Sequence, residues 1–525
     1  MNENLFILLY CLIATLSVSL ILPLEYAVYQ QSGYDENKLI SCYIKQKTII
    51  KSMLLSVILC LFNILFGVFG IFNYISISVI AVFCCFFVFF ANKNVKIIKK
   101  VVITPRFLRL TGFSFILTFL LEILVCYAFR LVFDVYYACG IGAFIILAYC
   151  HTLGVSKKVN MPFDRLNYVL SINKCKKKLA KKNDLIKIGI TGSCGKTSVK
   201  NILAAMLSVD YKVYATPKSY NTPLGICKSV SKMNDDTEVF IAEMGARNKG
   251  DIKELTNIVK PEIGVITGVT EQHLETFGSL ENIKDTKFEL IDGLCENGYA
   301  VFSADTIGST ELYERAKVNK CLVGINGLNV KAENIVISSC QTSFDLILKD
   351  VRFPVVTKLL GRHSVTDICL ASAVALYLGV KPHRIADCVF TLKPTEHRAE
   401  VFVTESGVTV IDDGYNANIL GIESDAEILK TFNGKKFAVV SGIVEGGKRE
   451  EELNKNVGKI LSECVDVIIA VGKNADAVLS GTVDIKGLEK HYAKNLCEAE
   501  NILKNMIKSG NMVIFINDLP DSYKV

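Results

Sequence analysis

The pattern of hydrophobic positions divides this chain of 525 residues into two parts. From residue 185 onward, short apolar runs alternate with amphipathic stretches, which is typical of the strands and helices of an α/β fold. Before residue 153, five longer apolar stretches each approach the roughly 20 residues that a helix needs to cross a bilayer. These stretches are 5–28, 52–72, 74–92, 109–129 and 132–152. We therefore predict a multi-span α-helical membrane region over 1–152, followed by α/β domains with mainly parallel sheet.

Basic residues flank the apolar stretches on one side only. Lysine and arginine are frequent in the segments 29–51 and 93–108 and again after residue 152, whereas the other side has almost none. Because cytoplasmic loops collect Lys and Arg, this asymmetry favours five spans with the N-terminus outside. We expect a multi-pass protein of the cell membrane whose catalytic domains are cytoplasmic. The basic linker 153–184 either contacts anionic membrane lipid or only flanks the last span.

Composition agrees with this division and excludes several classes of protein. Hydrophobic residues make up 51% of the chain and the mean hydropathy is +0.37, which is too high for a wholly soluble enzyme. The net charge of +7 is modest and does not indicate nucleic acid as a partner. The 18 cysteines form no CxxC pair, as expected in a reducing compartment. Glu25 and Glu122 alone do not make a transport pathway through the apolar stretches.

A phosphate-binding loop follows the first predicted strand of the α/β part. The apolar run Leu185–Ile190 leads directly into the loop, which leads into the helical stretch 198–208. The loop residues are Thr191, Gly192, Ser193, Cys194, Gly195, Lys196, Thr197 and Ser198. In such loops the backbone N–H groups bind phosphate, the lysine reaches the terminal phosphates, and the threonine hydroxyl ligates Mg²⁺. The pattern is TGxxGK[ST], since Ile190 stands where the strict form has glycine. This order predicts nucleotide binding.

Two more polar residues follow the ends of neighbouring strands. Glu243 ends the apolar run 239–242, and His273 comes after the run 263–267. Because the carboxyl ends of parallel strands meet at one edge of a sheet, both are expected near the phosphate loop. A carboxylate at that edge suits Mg²⁺, although a strand-end glutamate can also simply face solvent. A lone histidine is more often a surface or packed residue than a ligand.

Seven stretches of the α/β part resemble the ATP-dependent Mur ligases of bacterial cell-wall synthesis, most of all their D-alanyl-D-alanine-adding branch. They occur in family order over residues 185–525. The stretches are ITGSCGKTSVKNILAAML (190–207), TPKSYNTPLGI (216–226), IAEMGARNKGDI (241–252), HLETFGSLENIKDTKFEL (273–290), GRHSVTD (361–367), HRAE (397–400) and IDDGYNANILG (411–421). The resemblance implies a central P-loop ATPase domain over 185–395 and a C-terminal Rossmann-like domain over 396–525. It also implies that ATP phosphorylates a carboxylate and that an amine attacks the acyl phosphate.

The resemblance also implies roles for individual residues. The expected catalytic residues are Lys196, His273, Lys287 and Arg398. Thr197 and Glu243 match the ligands of a first Mg²⁺, while His273 and Lys287 match those of a second, with a carbamate on Lys287. Carbamylation makes physical sense, because a bare ammonium would repel Mg²⁺ whereas a carbamate supplies oxygen ligands. Without the flanking match, Lys287 would be interpreted as a helix-surface lysine. Further matches that bind ATP are Arg398, Asp413 and Asn416, and those that contact substrate are Asn221, Tyr415 and Asn418.

The chain also departs from the family pattern. Apolar stretches stand where the family has a small domain that binds the uridine nucleotide sugar. Ser364 and Asp367 replace two asparagines, which puts contacts to adenine or ribose in doubt, and Asn454 replaces a histidine. The catalytic set is thus kept, while the parts that recognise the peptide substrate have changed.

These observations favour a membrane-bound, ATP-dependent amide ligase. Its expected substrates are a nucleotide-linked or lipid-linked cell-envelope precursor and an amino acid or dipeptide. One alternative is a catalytically inactive ATP-binding scaffold, but decay would be expected to remove at least one of the matched catalytic residues. A ligase that adds another amino acid or amine to a lipid-linked precursor is a further alternative. A folate-type or cyanophycin-type ligase has no support beyond the phosphate loop.

Overall fold

The computed structural model describes residues 3–516 apart from 32–33, 35–38, 41–43, 45–47, 70–73, 93–100, 272–273, 396, 415–416 and 445. The chain divides into two compact units, one up to Asn167 and one from Tyr168 onward. The first unit is helical, and the second consists of two α/β domains.

Apolar helices make up the first unit. They are α1 (Glu3–Leu20), α2 (Pro23–Gln31), α3 (Thr48–Val68), α4 (Tyr74–Asn92), α5 (Pro105–Arg130), α6 (Val135–Gly142), a 3₁₀ helix (Ala143–Ala148) and the first part of α7 (Tyr149–Ala180). Within the described ranges, three helices are long and apolar enough to cross a membrane: Glu3–Leu20, Ile75–Asn92 and Pro105–Arg130. Ile50–Phe66 is a shorter apolar helix. These four helices overlap the first four predicted stretches.

The fifth predicted stretch, 132–152, differs from the prediction because it is not one continuous helix. Two glycines near the end of α6 pack tightly against other helices. A Cβ at Gly142 would lie 2.5 Å from Cys126 Sγ on α5, and one at Gly140 would lie 3.2 Å from Cys60 Sγ on α3. The short helix α6 therefore packs closely against both neighbours, and the backbone then tightens into 3₁₀ geometry. The predicted basic linker that follows is largely helical, since α7 continues to Ala180.

Several polar side chains of the first unit are paired across helices. Thr15 Oγ1 on α1 donates a hydrogen bond to Glu122 Oε2 on α5 at 2.9 Å. Arg106 and Arg109 both form ion pairs with Asp164 on α7, each at 2.9 Å. Glu122 therefore helps to join α1 to α5.

A nine-stranded sheet forms the centre of the second unit, in the order β2-β3-β1-β4-β5-β6-β7-β8-β9. Neighbours from β2 to β7 are parallel, whereas β8 is antiparallel to β7 and β9. The strands are β1 (Ile186–Thr191), β2 (Val213–Ala215), β3 (Val239–Glu243), β4 (Ile263–Ile266), β5 (Tyr299–Ser303), β6 (Asn319–Gly324), β7 (Val330–Ile337), β8 (Thr342–Leu348) and β9 (Val351–Thr357). The helices of this domain are α8 (Lys196–Leu207), α9 (Pro223–Lys232), α10 (Asp251–Val259), α11 (Leu274–Phe277), α12 (Leu280–Asp292), α13 (Ile307–Arg315), α14 (Gly361–Tyr377) and α15 (Pro382–Thr391).

A six-stranded sheet forms the C-terminal domain, in the order β10-β11-β15-β12-β13-β14. Only the pair β10–β11 is antiparallel among these neighbours. The strands are β10 (Glu400–Val403), β11 (Thr409–Asp413), β12 (Lys436–Val440), β13 (Val467–Val471), β14 (Glu489–Ala493) and β15 (Met512–Ile516). The helices are α16 (Ile419–Lys430), α17 (Glu450–Ser462), α18 (Ala475–Gly481) and α19 (Leu496–Met506), with 3₁₀ turns at Gly447–Arg449 and Gly472–Asn474.

The central strands are continuous apolar runs in the sequence because both of their faces are buried. Every residue of β3 is buried, because helices cover both faces of this parallel sheet. β1 lies between β3 and β4, so the carboxyl ends of these three strands meet at one edge. The phosphate loop, Glu243 and the segment after β4 therefore come together there.

The end of α7 belongs to the central domain. Cys175 and Leu179 are buried in the same apolar cluster as Ile226 of α9. Lys178 Nζ donates to the backbone carbonyl of Met233 at 2.6 Å. These contacts explain why the second compact unit begins at Tyr168, within the helix.

Candidate active site

The phosphate loop connects β1 to α8 as predicted from the sequence. Gly195 caps α8 with a φ of +77°, a left-handed conformation that favours glycine. A Cβ at this position would also lie 2.6 Å from Asp367 Oδ1. The loop is anchored where Ser193 N donates to the carbonyl of Gly268 at 2.7 Å. No side chain caps the helix, so its first N–H groups are available to bind an anion.

The side chain of Lys196 folds back over this loop. Its Nζ donates to the carbonyls of Gly192 at 2.7 Å and Ser193 at 3.0 Å. Burial lowers the pKa of this ammonium, and the charge of Glu243 opposes that shift. A lysine held over the loop has the position and charge needed to contact phosphate oxygens.

Glu243 is the centre of the polar cluster at this edge. Its Oε2 accepts hydrogen bonds from Thr197 Oγ1 at 3.0 Å and Lys200 Nζ at 2.9 Å, and its Oε1 accepts from Asn221 Nδ2 at 3.1 Å. Burial alone would raise the pKa of this carboxyl, but the charges of Lys200 and Lys196 hold it below its usual value. Glu243 is therefore an ionised oxygen ligand that lies beside the Thr197 hydroxyl.

The two oxygens fit a magnesium ion. Mg²⁺ is commonly held by one or two protein oxygens together with substrate phosphates. Thr197 Oγ1 and Glu243 Oε2 lie 3.0 Å apart at the mouth of the phosphate loop, so both can face one ion. Among the described residues no group of three or more His, Cys, Asp or Glu side chains forms a metal site. This donor set suits a metal that is bound together with nucleotide.

Lys287 lies inside the protein rather than on a helix surface. Only 3% of the residue is exposed, and its Nζ is 5.8 Å from the ring centroid of Phe277. Burial, helped by the charge of Lys196, lowers the pKa of this lysine to about 7, and Asp251 and Glu289 act in the opposite direction. The amine is therefore partly uncharged near neutral pH. His273, its predicted partner, lies outside the described residues.

Residues of the C-terminal domain reach the phosphate loop. Arg398 Nη2 is 3.4 Å from Thr197 Oγ1. Asp413, at the end of β11, accepts a hydrogen bond from the backbone of Ala399 at 3.1 Å, and burial raises its pKa to about 6. Asn418 acts as the N-cap of α16, since its Oδ1 accepts from Gly421 N at 3.1 Å. Tyr415 and Asn416 are not among the described residues.

The sequence patterns gave no role at this site to three polar residues, Lys200, His363 and Asp367. Lys200 is one helical turn after Lys196 and is 2% exposed in its ion pair with Glu243. Burial raises the pKa of Asp367 to about 8, and burial with the charge of Arg398 lowers that of His363 to about 4. The spacing of Lys196 and Lys200 on one helix face was a usable signal for Lys200. For Asp367 the signal was its position in the stretch 361–367.

Comparisons with known proteins agree with this geometry. The family model for the Mur ligase middle domain matches residues 190–375, and the model for the Mur ligase, glutamate ligase domain matches residues 397–516. The UDP-N-acetylmuramoyl-tripeptide–D-alanyl-D-alanine ligase of Bacillus subtilis is 29% identical over 334 residues, 62% of this chain and 72% of the relative. Its Escherichia coli counterpart is 27% identical over 310 residues, 58% of this chain and 68% of the relative.

Solved structures show the same similarity. MurF from Acinetobacter baumannii superimposes with a TM-score of 0.63 at 25% identity, covering 68% of this chain and 78% of that one. MurF ligase from Thermotoga maritima in complex with ADP has a TM-score of 0.59 at 27% identity, covering 66% of this chain and 79% of that one. The similarity therefore extends across both α/β domains.

Proposed function

Since this chain belongs to the Mur ligase family, whose members are ATP-dependent amide ligases, we propose that it joins the carboxylate of a cell-wall precursor to an amine. The relatives that it resembles are named for a muramoyl-tripeptide acceptor and D-alanyl-D-alanine. We propose the same pair of substrate classes here, with the acceptor carried on either a nucleotide or a lipid. Another amino acid or amine is the second candidate for the donor.

The observation that carries this proposal is the cluster around Glu243. One carboxylate contacts the Thr197 hydroxyl of the phosphate loop, Lys200 of α8 and Asn221 of the next loop. Arg398 approaches the same hydroxyl from the other domain. Phosphate-binding groups and a candidate substrate-binding residue thus converge on one point, as phosphoryl transfer to a bound carboxylate requires.

In this proposal the residues of the site have separate roles. The N-terminus of α8 and Lys196 bind the phosphates of ATP, and Thr197 and Glu243 hold Mg²⁺. The metal, when bound, neutralises charge on the phosphoryl group and polarises it toward attack. Arg398 supplies a further cation at the domain junction, and Asp413 lies at the carboxyl end of β11 next to it. Preorganised charges of this kind are the main source of stabilisation for an acyl phosphate intermediate.

We propose that Lys287 carries a carbamate that serves a second Mg²⁺ together with His273. A buried lysine with a pKa of about 7 supports this, because the uncharged amine is the form that combines with CO₂. Carbamylation would also replace a buried ammonium by a group that can ligate metal.

We propose that the first unit anchors this activity at a membrane. Three apolar helices of sufficient length support a multi-pass anchor with the ligase in the cytoplasm. A membrane anchor would favour an acceptor that is itself confined to the lipid surface.

The test is phosphate release by the purified full-length protein in detergent. Release should require both a muramoyl tripeptide and D-alanyl-D-alanine, and mass spectrometry should find the amide product. Lys196→Ala should reduce turnover about a hundredfold or more, the loss that follows removal of one preorganised charge. Binding of ATP without any phosphate release, whatever acceptor is offered, would instead favour the inactive scaffold.

A further inference from the structure

The loop 216–222 is fixed to the carboxylate that we assign to the metal. Asn221 Nδ2 donates to Glu243 Oε1 at 3.1 Å. Lys200 Nζ, which pairs with the same carboxylate, also donates to the backbone carbonyl of Lys218 at 2.5 Å. Lys218 has a φ of +48°, so the loop keeps a strained turn at this point. The loop and the helix that it leads into, α9, therefore have a defined position relative to the nucleotide site.

Three lysines surround a tyrosine on this loop and helix. Lys228 Nζ lies 5.3 Å from the ring centroid of Tyr220. Lys232 follows Lys228 by four residues on α9, so both are on one helix face, and Lys218 is two residues before the tyrosine. A hydrogen bond from Lys228 and the charges of Lys228, Lys232 and Lys218 hold the pKa of the Tyr220 hydroxyl below its usual value. Lys228 therefore lies against the tyrosine ring, and Lys218 and Lys232 add their charges on the same loop and helix.

Carboxylates do not balance these charges. Elsewhere on the central domain lysines have acidic partners; Lys284, for example, contacts Glu281 at 2.5 Å and Glu311 at 2.6 Å. Within the described part of the chain, Lys218, Lys228 and Lys232 form no ion pair with a carboxylate. Like charges brought together without compensation create a positive potential that attracts an anion.

We propose that Lys218, Lys228, Lys232 and the Tyr220 hydroxyl bind the diphosphate of the acceptor substrate. This inference rests on the proposed ligase function and names the part of the acceptor that is recognised. Lysine ammonium groups bind phosphate as mobile point charges, which suits a diphosphate. Nucleotide-linked and polyprenyl-linked acceptors both carry this group, so the chemistry is shared between the two sources.

The spacing along α9 agrees with the length of such an acceptor. Lys228 and Lys232 are six and ten residues beyond Thr222, or about 9 and 15 Å at the helical rise. An extended tripeptide spans roughly 10 Å. A carrier diphosphate bound at these lysines therefore leaves the peptide long enough to bring its carboxylate to the edge of the sheet.

The experiment compares Lys228→Gln/Lys232→Gln with the wild type in the full-length protein. Phosphate release is measured with D-alanyl-D-alanine and three acceptors: UDP-linked muramoyl tripeptide, polyprenyl-diphosphate-linked muramoyl tripeptide and phosphate-free muramoyl tripeptide. The KM for a diphosphate acceptor should rise about tenfold or more, as expected for loss of charge-assisted contacts. The KM for the phosphate-free acceptor, the KM for ATP and kcat should stay within about twofold, because these lysines lie outside the nucleotide site.

A matched control is Lys317→Gln/Lys381→Gln, which removes the same charge from two exposed lysines of the same domain. That control should leave every KM unchanged. A larger rise in KM with one of the two diphosphate acceptors identifies the carrier, and a rise in KM with either acceptor supports the site. An unchanged KM for both, or an equal rise for the phosphate-free tripeptide, would overturn it.

Calorimetry separates this inference from the proposed function. UDP-linked muramoyl tripeptide is titrated into the wild type and into the Lys228→Gln/Lys232→Gln variant without ATP. Weaker binding by the variant supports the diphosphate site even if no ligation is found. No binding by the wild type, or equal affinity in both, contradicts the site. Failure of the wild type to release phosphate with any acceptor contradicts only the ligase proposal.

Discussion

At the scale of single residues, the site is organised by charges that are buried in pairs. Glu243 and Lys200 are both 2% exposed, and each satisfies the other in a place where an unpaired charge would be costly. Burial shifts the pKa values of two other residues, Asp367 and Lys287, toward the neutral form. The pKa values of these two residues therefore depend on how deeply the site is buried.

The Lys287 assignment makes a first prediction. If Lys287 carries a carbamate, Lys287→Ala should be nearly inactive and should partly recover when short carboxylates such as acetate are added. The added carboxylate would supply the oxygen ligands that the side chain no longer provides. Phosphate release with and without acetate measures this, and Lys284→Ala on the same helix is the control. An active Lys287→Ala variant that ignores acetate would show that the residue has only a packing role.

Asp367 makes a prediction about pH. The pKa of this carboxyl is about 8 in the folded protein and near 4 when unfolded, so the folded state holds an extra proton between these values. Stability should therefore fall as pH rises from about 4 to 8. Asp367→Asn removes this titration, and the variant should be more resistant than the wild type at pH 8 but not at pH 4. Thermal unfolding curves at the two pH values test this; an identical difference at both would contradict the shifted pKa.

At the scale of elements, sequence patterns between neighbouring residues predicted the phosphate loop, but they did not predict how the helices of the first unit pack. The strand, glycine loop and helix at 186–207 are adjacent in sequence, so their order alone indicated the phosphate loop. The hydrogen bond between Asn221 and Glu243 depends on the pairing of β2 with β3 and could not be predicted from their spacing in the sequence. The stretch 132–152 has the hydropathy of a span, but the structure divides it between α6, a 3₁₀ helix and the start of α7, and its Gly140 and Gly142 pack tightly against other helices.

The cap of α16 provides a prediction at this scale. Asn418 was expected to contact substrate, and its Oδ1 accepts from Gly421 N. Asn418→Ala should lower the free energy of unfolding by about 1 kcal/mol, the usual effect of losing a cap. Asn418→Asp keeps the acceptor oxygen and should retain that stability. Denaturant titration measures the stability of both variants, and the KM for the amine is measured for Asn418→Asp. A raised KM in this variant at full stability would support the predicted substrate contact.

At the scale of the whole molecule, the division at Tyr168 shows where the ligase begins. The end of α7 supplies Cys175 and Leu179 to the core of the central domain. A chain shortened to start at Lys182 would lose these contacts, whereas one starting at Tyr168 keeps them. The composition of the linker alone did not indicate this boundary, because the buried positions of α7 depend on α9.

Removal of the first unit tests its role. We predict that the full-length protein ligates a lipid-linked muropeptide in liposomes far better than the soluble nucleotide form. A chain that starts at Tyr168 should lose this preference, because it is no longer confined to the surface that holds the lipid. Initial rates with both acceptors measure the ratio. If the shortened chain uses the nucleotide form as well as the full-length protein uses the lipid form, the helices are only an anchor.

The position of β15 has a consequence for how the protein is made. This strand, Met512–Ile516, is synthesised after the other described strands, yet it lies between β11 and β12 in the middle of its sheet. Until it emerges, the C-terminal sheet is split into two halves that cannot close. Arg398 lies just before β10 and Asp413 ends β11, so both belong to the half formed by β10 and β11. A nascent chain therefore forms its phosphate loop early and closes the C-terminal sheet beside these two residues only after β15 has emerged.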